Sequence, residues 1–478
     1  MKRLLFLFSF IPMVLNLTQC NTPAKEEHTA TYDIVIHGGR VMDPASGTDR
    51  KLNLGITGGK IAAISEDSLQ GNKSINAAGL VVAPGFIDLH VHEHTDETYG
   101  LMARGGVTSA FELEVGTADV PGWYAERNSG QRINYGVSIG HIQVRMKVMG
   151  DSGTFVPSGP GGSQPATPED IAEMERRIEE GLAQGALAVG FGLAYTPATN
   201  TEEYEDMLRI AARHGASSHI HLRGELAGVK EAISGAINTR APLHIVHINS
   251  SGGAETAEFL SEIQAARDQG YDITTEAYPY EAGMTMIEAA MFDDWESWTD
   301  EKIGTHQWAA TGEWLSRETF GKYRKQRGAI IIHSRTEEMT NTAIESPLTM
   351  IASDGFIING YGHPRTAGSF AKVLGKYVRE KKSFTLMDAL RKMTIDPAGR
   401  LEAYVPAMAR KGRITAGADA DITVFDPEKV IDHATYEEPM LPSGGIPYVI
   451  VNGTLVVENG ELVAEARPGI AVRNKVVE

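Results

Sequence analysis

Hydrophobic and polar positions divide the chain into three textures. From Tyr32 the apolar residues come in short alternating runs, Ile34-Val35-Ile36, Arg40-Val41 and Leu52 to Ile56, separated by Gly38-Gly39 and Gly58-Gly59. Such spacing predicts hairpin-rich β structure. The same texture returns at Asp421–Phe425, Tyr448–Val451 and Leu455–Val457, where Asn452-Gly453 reads as a tight hairpin turn. Both chain ends are therefore expected to fold together as one small β-sandwich, from residues 32–82 and 411–478. Between them, helical and strand periodicities alternate every ~25–30 residues, as βα units do. The clearest helix runs from Pro168 to about Leu182. Thr167 is its N-cap, Asp170 completes a capping-box pattern, and Ile171, Met174, Ile178 and Leu182 share a face. Strands are expected at 186–192, 217–222, 243–248 and 273–277, and helices near 202–214, from after the second of these strands to about 238, and at 255–268. The predicted architecture is α/β, a (β/α)₈ TIM barrel over residues 83–410 with the terminal sandwich beside it. An open doubly wound sheet is the other option, but no Gly-rich nucleotide loop follows the first strand. Residues 291–327 break the rhythm and hold Trp295, Trp298, Trp308 and Trp314. They read as an insertion, either packed on the periphery or serving as a lid.

The first residues differ in kind. Lys2 and Arg3 precede an apolar stretch from Leu4 to Leu17, then comes Cys20, the only cysteine. Residues 1–20 read as a secretion signal of lipoprotein type, with Leu17-Thr18-Gln19-Cys20 resembling a lipobox and 21–31 as a linker. The expected location is the periplasm or the envelope, with membrane contact only through a lipid on Cys20. A net charge of −18 disfavours nucleic-acid binding, since such a surface repels phosphates. With no further cysteine there is no disulfide framework and no thiolate ligand or nucleophile.

Candidate chemistry gathers at strand ends, where barrels display it. In Pro84-Gly85-Phe86-Ile87-Asp88-Leu89-His90-Val91-His92, the alternation of a strand puts His90 and His92 on one face, able to grip one metal. His221 and His247 close two later strands in the same way. Imidazoles from several strands meeting at one mouth point to a transition metal such as zinc. His219 and His244, inside their strands, read better as hydrogen-bonded core residues. Glu112 and Glu114 lie in the apolar strand Val107–Gly116, where carboxylates need compensation. A metal supplies it; if one of the two is a ligand, the other serves as its supporting partner. Asp354, in Ile351-Ala352-Ser353-Asp354-Gly355, is the candidate general acid/base.

These segments resemble the D-aminoacylase (N-acyl-D-amino-acid deacylase) branch of the amidohydrolase superfamily, in order and over nearly the whole chain. Matching stretches are Pro84–His92, Gly190–Pro197, His221-Leu222-Arg223, His247–Gly252, Tyr278-Pro279-Tyr280, Ser353-Asp354-Gly355, His363-Pro364-Arg365 and Lys411-Gly412-Arg413-Ile414. The resemblance implies one or two Zn²⁺ ions, one position held by His90 and His92 and the other by His221 and His247, with Asp354 as acid/base. It implies substrate contacts from Arg223, Tyr280 and Arg365, and less directly from Tyr195 and His363, suiting an anionic N-acyl amino acid. Two departures stand out: Val115 occupies the place of a metal-ligating cysteine, which hands that role to a carboxylate, Glu114 before Glu112, and Asn249 that of a basic residue. The implied reaction is hydrolysis of N-acyl-D-amino acids to a carboxylate and a free D-amino acid. Cyclic amide hydrolysis (dihydroorotase or hydantoinase) and isoaspartyl dipeptide cleavage are the neighbouring alternatives, although no lysine stands where those relatives carry a carbamylated one. A catalytically silent envelope binding protein is the non-enzyme alternative, against which the complete set of candidate groups argues.

Overall fold

The computed structural model describes Met1 and residues 31–476. Cys20 and the expected signal and linker, up to residue 30, lie outside the described residues.

Eight parallel strands follow one another around a barrel: Phe86–Asp88, Val107–Thr117, Asn134–Gly140, Ala188–Gly192, Ser217–His221, Leu243–Ile245, Ile273–Ala277 and Thr349–Ile351. The first and eighth meet beyond their C-terminal ends, where Val91 pairs with Gly355 and His92 N donates to Gly355 O at 2.8 Å. That closure draws the His-x-His segment against Asp354. Helices cover the outside, as the βα rhythm requires. The helix Pro168–Ala183 carries the expected capping box of Thr167 and Asp170, and buries Met174, Ile178 and Leu182. Asn134–Gly140 was not among the expected strands, and the sixth strand stops at Ile245 rather than 248. After it the backbone turns left-handed at His247 (φ 31°, ψ 58°) and enters the short helix Ile248–Gly252.

The two chain ends do fold together. Ile422–Phe425 pairs antiparallel with Val81–Pro84, joining them into one nine-stranded, mostly antiparallel sheet. The long strand Thr31–Asp43 bulges between Ile36 and Gly39, so its first half pairs with Gln70–Asn76 and its second with Val81–Val82. Leu54, Ile56, Ile61, Val82, Ile422 and Ile450 lie in its separate apolar core. The sheet reaches Pro84, two residues past the expected boundary at 82, and stops at Leu462. Beyond that the chain returns to the barrel: Tyr135 N donates to Ile470 O and Val472 N to Tyr135 O. The backbone N–H and C=O of Tyr135, near the start of the third barrel strand, are thus both satisfied by the tail, which the expected span 411–478 had assigned to the sandwich.

The rhythm-breaking segment is larger than 291–327. Gly283–Met286, Ala329–Ile332, His306–Trp308 and Glu313–Trp314 form a four-stranded antiparallel sheet. Its tryptophans pack within it: Trp308 stacks on Tyr323 at 4.3 Å and Trp295 on Phe320 at 5.1 Å, while Trp314 is exposed.

Candidate metal centre

Six side chains converge at the C-terminal mouth of the barrel. The Nε2 atoms of His90 and His92 are 3.0 Å apart. Glu114 reaches across the mouth, with Oε2 2.7 Å from His90 Nε2 and Oε1 3.0 Å from His221 Nδ1. His247 Nε2 lies 3.0 Å from His221 Nδ1 and 3.5 Å from Glu114 Oε2. Asp354 Oδ1 is 3.2 Å from His92 Nε2 and 3.5 Å from His90 Nε2. Two triads keep their ligand atoms within 4.8 Å of one another: His90, His92 and Asp354, and His90, Glu114 and His247. His90 and His92 share one triad with Asp354, His90 belongs also to the second, and Glu114 spans the two sides toward His221 and His247.

This donor set fits a divalent cation. Two imidazole lone pairs facing each other at 3.0 Å repel unless something positive lies between or one ring is protonated. Among the described residues Glu114 Oε2, although 2.7 Å from His90 Nε2, is buried without a hydrogen bond, an arrangement that is costly unless a cation compensates it. Burial alone would lower the proton affinity of His90, but the charges of Asp354 and Glu114 raise it well above the usual histidine value. His92 behaves alike: burial opposes its charge, Glu112 and Asp354 prevail, and its value rises to about 9. The cluster attracts positive charge, and histidine with carboxylate suits zinc or a related ion.

Glu114 reaches the centre because the second strand bulges. Its register to the third strand slips between Glu112 and Thr117. The neighbouring strands present glycine there: a Cβ on Gly140 would overlap Val115 O, and one on Gly190 would overlap Glu114 O. Glu112, two residues earlier, turns to the outside of His92, accepting from its Nδ1 at 2.8 Å and from Val115 N at 3.0 Å. It orients a ligand in the way supporting carboxylates orient metal-bound histidines. The larger supporting group went unnoticed in the sequence. Glu276, fully buried on the seventh strand, contacts His90 Nδ1 at 2.6 Å and His244 Nε2 at 3.0 Å. Burial would raise its pKa; the bonds to His244 and His90 outweigh that and bring it to about 2. The signal was available, since Glu276 is a carboxylate in an apolar strand just as Glu112 and Glu114 are. His244 bonds to Glu276 and Thr274, as expected of a core residue, whereas neither ring nitrogen of buried His219 has a hydrogen-bond partner among the described residues.

Asp354 sits in a left-handed turn (φ 52°), a strained conformation of the kind found at functional sites. Its Oδ2 lies 2.7 Å from Arg365 Nη1, and Arg365 is wholly buried. Burial would raise the Asp354 pKa, but Arg365 and His90 hold it well below the usual carboxylate range. Arg365 is thus engaged with the candidate acid/base rather than facing the cavity.

That cavity, of about 200 Å³, is lined by His92, Glu114, His221, His247, Asp354 and Tyr195 among others. Tyr195 places its ring 4.6 Å from that of His221 and its hydroxyl 3.1 Å from Thr285 Oγ1. Arg223 and Tyr280, implied as substrate contacts, do not line it. Arg223 donates to Pro197 O at 2.9 Å and Thr199 O at 2.5 Å and pairs with Glu231 at 3.0 Å. Its donors are consumed in holding the loop that carries Tyr195. Tyr280 donates to Asp432 at 3.0 Å. His363 is likewise buried, with Nε2 3.0 Å from Ala282 O. Met284, Thr285 and Ile332 of the inserted sheet, Met291 of the turn that follows its first strand, and Arg335 just beyond the sheet do line the cavity.

Known proteins share this organisation. The amidohydrolase family model matches residues 146–457. An N-acyl-D-glutamate deacylase of Alcaligenes xylosoxydans xylosoxydans is 31% identical over 92% of this chain and 96% of its own length. A D-aminoacylase of the same organism is 30% identical over 89% of this chain and 94% of its own. The crystal structure of the Bordetella bronchiseptica N-acyl-D-glutamate deacylase, complexed with zinc and a phosphonate mimic of the tetrahedral intermediate, superposes with a TM-score of 0.80. It is 27% identical, covering 93% of this chain and all of that one.

Proposed function

Because the chain belongs to the amidohydrolase family, we propose that it hydrolyses the amide bond of N-acyl-D-amino acids, releasing a carboxylate and a free D-amino acid. The observation that carries this reading is the convergence of His90, His92, Glu114, His221, His247 and Asp354 around one cavity. A divalent cation held there, zinc as in the Bordetella bronchiseptica relative, supplies Lewis acidity toward water and the amide carbonyl. His90, His92 and Asp354, and His90, Glu114 and His247, are the groups that would hold it, with His221 against Glu114.

The protein's own part is proton handling and orientation. Arg365 keeps Asp354 ionised, so Oδ1 can take a proton from the attacking water and pass it to the departing nitrogen. Tyr195 remains a phenol, since burial and then the charge of Glu114 raise its pKa well above the usual tyrosine value. Its hydroxyl can donate to the carbonyl oxygen as negative charge develops there. The inserted sheet closes one wall, limiting the water around the reacting groups.

The test is a panel of N-acetyl-D- and L-amino acids, dihydroorotate and β-aspartyl dipeptides, offered to zinc-loaded protein and to Asp354→Asn. Release of D-amino acids by the native protein, reduced by ~10²–10⁴ in the variant, is the expected result. Turnover confined to cyclic amides or isoaspartyl bonds would replace the deacylase reading.

For location, the reading is export with a lipid on Cys20, supported by Lys2, Arg3 and the apolar stretch before that cysteine. Labelling cells with a radioactive fatty acid checks it: the native protein is labelled, and Cys20→Ser is not.

A further inference from the structure

Among the described residues, Arg335 is the one arginine or lysine that lines the cavity. Its described partners are neutral: Nη1 donates to Ser250 Oγ at 3.1 Å and Nη2 to Tyr278 Oη at 2.7 Å. Nε is buried without a partner. Among the described residues no carboxylate comes within 4.0 Å of its guanidinium. The other two arginines near the site are spent, Arg365 on Asp354 and Arg223 on Glu231. In a chain of net charge −18, an arginine left without a counter-charge beside a cavity is poised for an anion from outside. Ser250 and Tyr278 hold the fork in place, which limits the entropy lost when the anion arrives.

Apart from Arg335 and the metal-site residues, the wall is apolar or neutral. Leu222, Met284, Met291 and Ile332 carry no charge, and the serines and Thr285 offer only hydroxyls. A neutral side chain loses little by entering such a space. A second carboxylate would be stripped of water with no cation to meet it, the first being already bound.

Resting on the deacylase reading, we propose that Arg335 binds the α-carboxylate of the substrate and thereby confines the enzyme to N-acyl-D-amino acids with uncharged side chains. Arg335 is a binding and specificity residue; the chemistry remains with Asp354 and the cation site.

Acetate release is followed with N-acetyl-D-leucine, N-acetyl-D-leucinamide and N-acetyl-D-glutamate, using zinc-loaded native protein, Arg335→Met and Arg335→Lys. The native protein is expected to favour N-acetyl-D-leucine over its carboxamide and over N-acetyl-D-glutamate by about 100-fold or more in kcat/KM. Arg335→Met brings the acid-to-amide ratio close to one, chiefly through KM, and Arg335→Lys restores part of it. Each ratio is taken within a single preparation, so a partly folded variant does not distort it. A native protein that accepts the amide equally, or prefers N-acetyl-D-glutamate, overturns the inference while leaving the deacylase reading intact; so does an unchanged ratio in Arg335→Met. Failure of the native protein to release acetate from any N-acetyl-D-amino acid overturns both.

Discussion

Glu276 serves two histidines with one carboxylate, and both bonds require it to accept. Glu276→Gln keeps the shape but offers only one accepting oxygen and adds an N–H where His90 or His244 already donates. His90 then loses its fixed tautomer, so metal affinity should fall by ~10–100-fold. Competition against a chromophoric chelator measures it; an unchanged affinity would mean that Glu276 serves packing alone. Glu112 holds His92 in the same way, yet it also accepts from Val115 and Gly116. Its role in holding the bulged strand is therefore mixed with its role at the histidine, which makes Glu276 the cleaner probe.

At the scale of elements, the eighth strand is anchored from behind by a buried lysine. Lys392, on the helix Leu386–Met393, donates to Thr349 O at 2.9 Å and to Ser346 O, at the start of the strand that leads to Asp354. Burial lowers its pKa from 10.5 to about 8. Below pH 8 both folded and unfolded chains hold the proton, and the cost of burying the charge is fully present. Between about pH 8 and 10.5 the unfolded chain keeps a proton that the folded one has lost, so this group's contribution to stability rises with pH. The total rise is on the order of 3 kcal/mol. Lys392→Met should flatten that part of the stability curve, read as urea midpoints across the window; an equally steep rise in the variant would assign the slope to other groups. The inserted sheet shows a different logic. Its aromatic residues share one apolar cluster with Val115, Ile142 and Tyr195 of the barrel, and its Met284, Thr285 and Ile332 reach the cavity, so the packing that stabilises the segment also fixes it as the active-site wall.

At the scale of the molecule, barrel and terminal sheet are joined by a buried polar knot. Asp421 accepts from Lys411 Nζ at 2.7 Å, Asn134 Nδ2 at 3.0 Å and Asn452 N at 2.7 Å. Asp421→Ala leaves Lys411 with Asp419 alone and Asn452 N unpaired, while Asn134 Nδ2 keeps Thr108 O and Ser109 Oγ; the change should cost ~3–5 kcal/mol. The fall in denaturation midpoint should be matched by circular dichroism and by tryptophan fluorescence, whose reporters lie mainly in the inserted sheet, if the knot couples the parts. Loss of the sandwich ahead of the barrel would separate the two signals. Metal is the second global constraint, because the donor set exists only in the folded chain. At a free concentration about 1,000 times Kd a bound ion stabilises by ~4 kcal/mol. Chelation should therefore lower Tm by several degrees and zinc restore it, whereas an unmoved Tm would argue against a preformed site.

Local pattern settled what depends on near neighbours. Period-two placement of His90 and His92, the alternation of βα units, the Thr167 cap and the pairing of the two β-rich ends were all legible, because each follows from spacing along one element or from the need to bury one face. Glu114 was readable as a ligand candidate but could not be separated from Glu112, since only the bulge braced by Gly140 and Gly190 turns them to different sides of the histidines. Glu276 carried a weak signal that passed unread. Arg335 carried none: its place beside Ser250 and Tyr278 arises where a strand of the inserted sheet returns to the barrel mouth, joining residues 85 and 57 positions apart. The same holds for Arg223 and Tyr280, whose partners Thr199 and Asp432 lie on other elements. What a side chain can do chemically is written in its type and spacing, whereas which partner consumes its donors is decided by packing between distant segments, and only the folded chain brings those together.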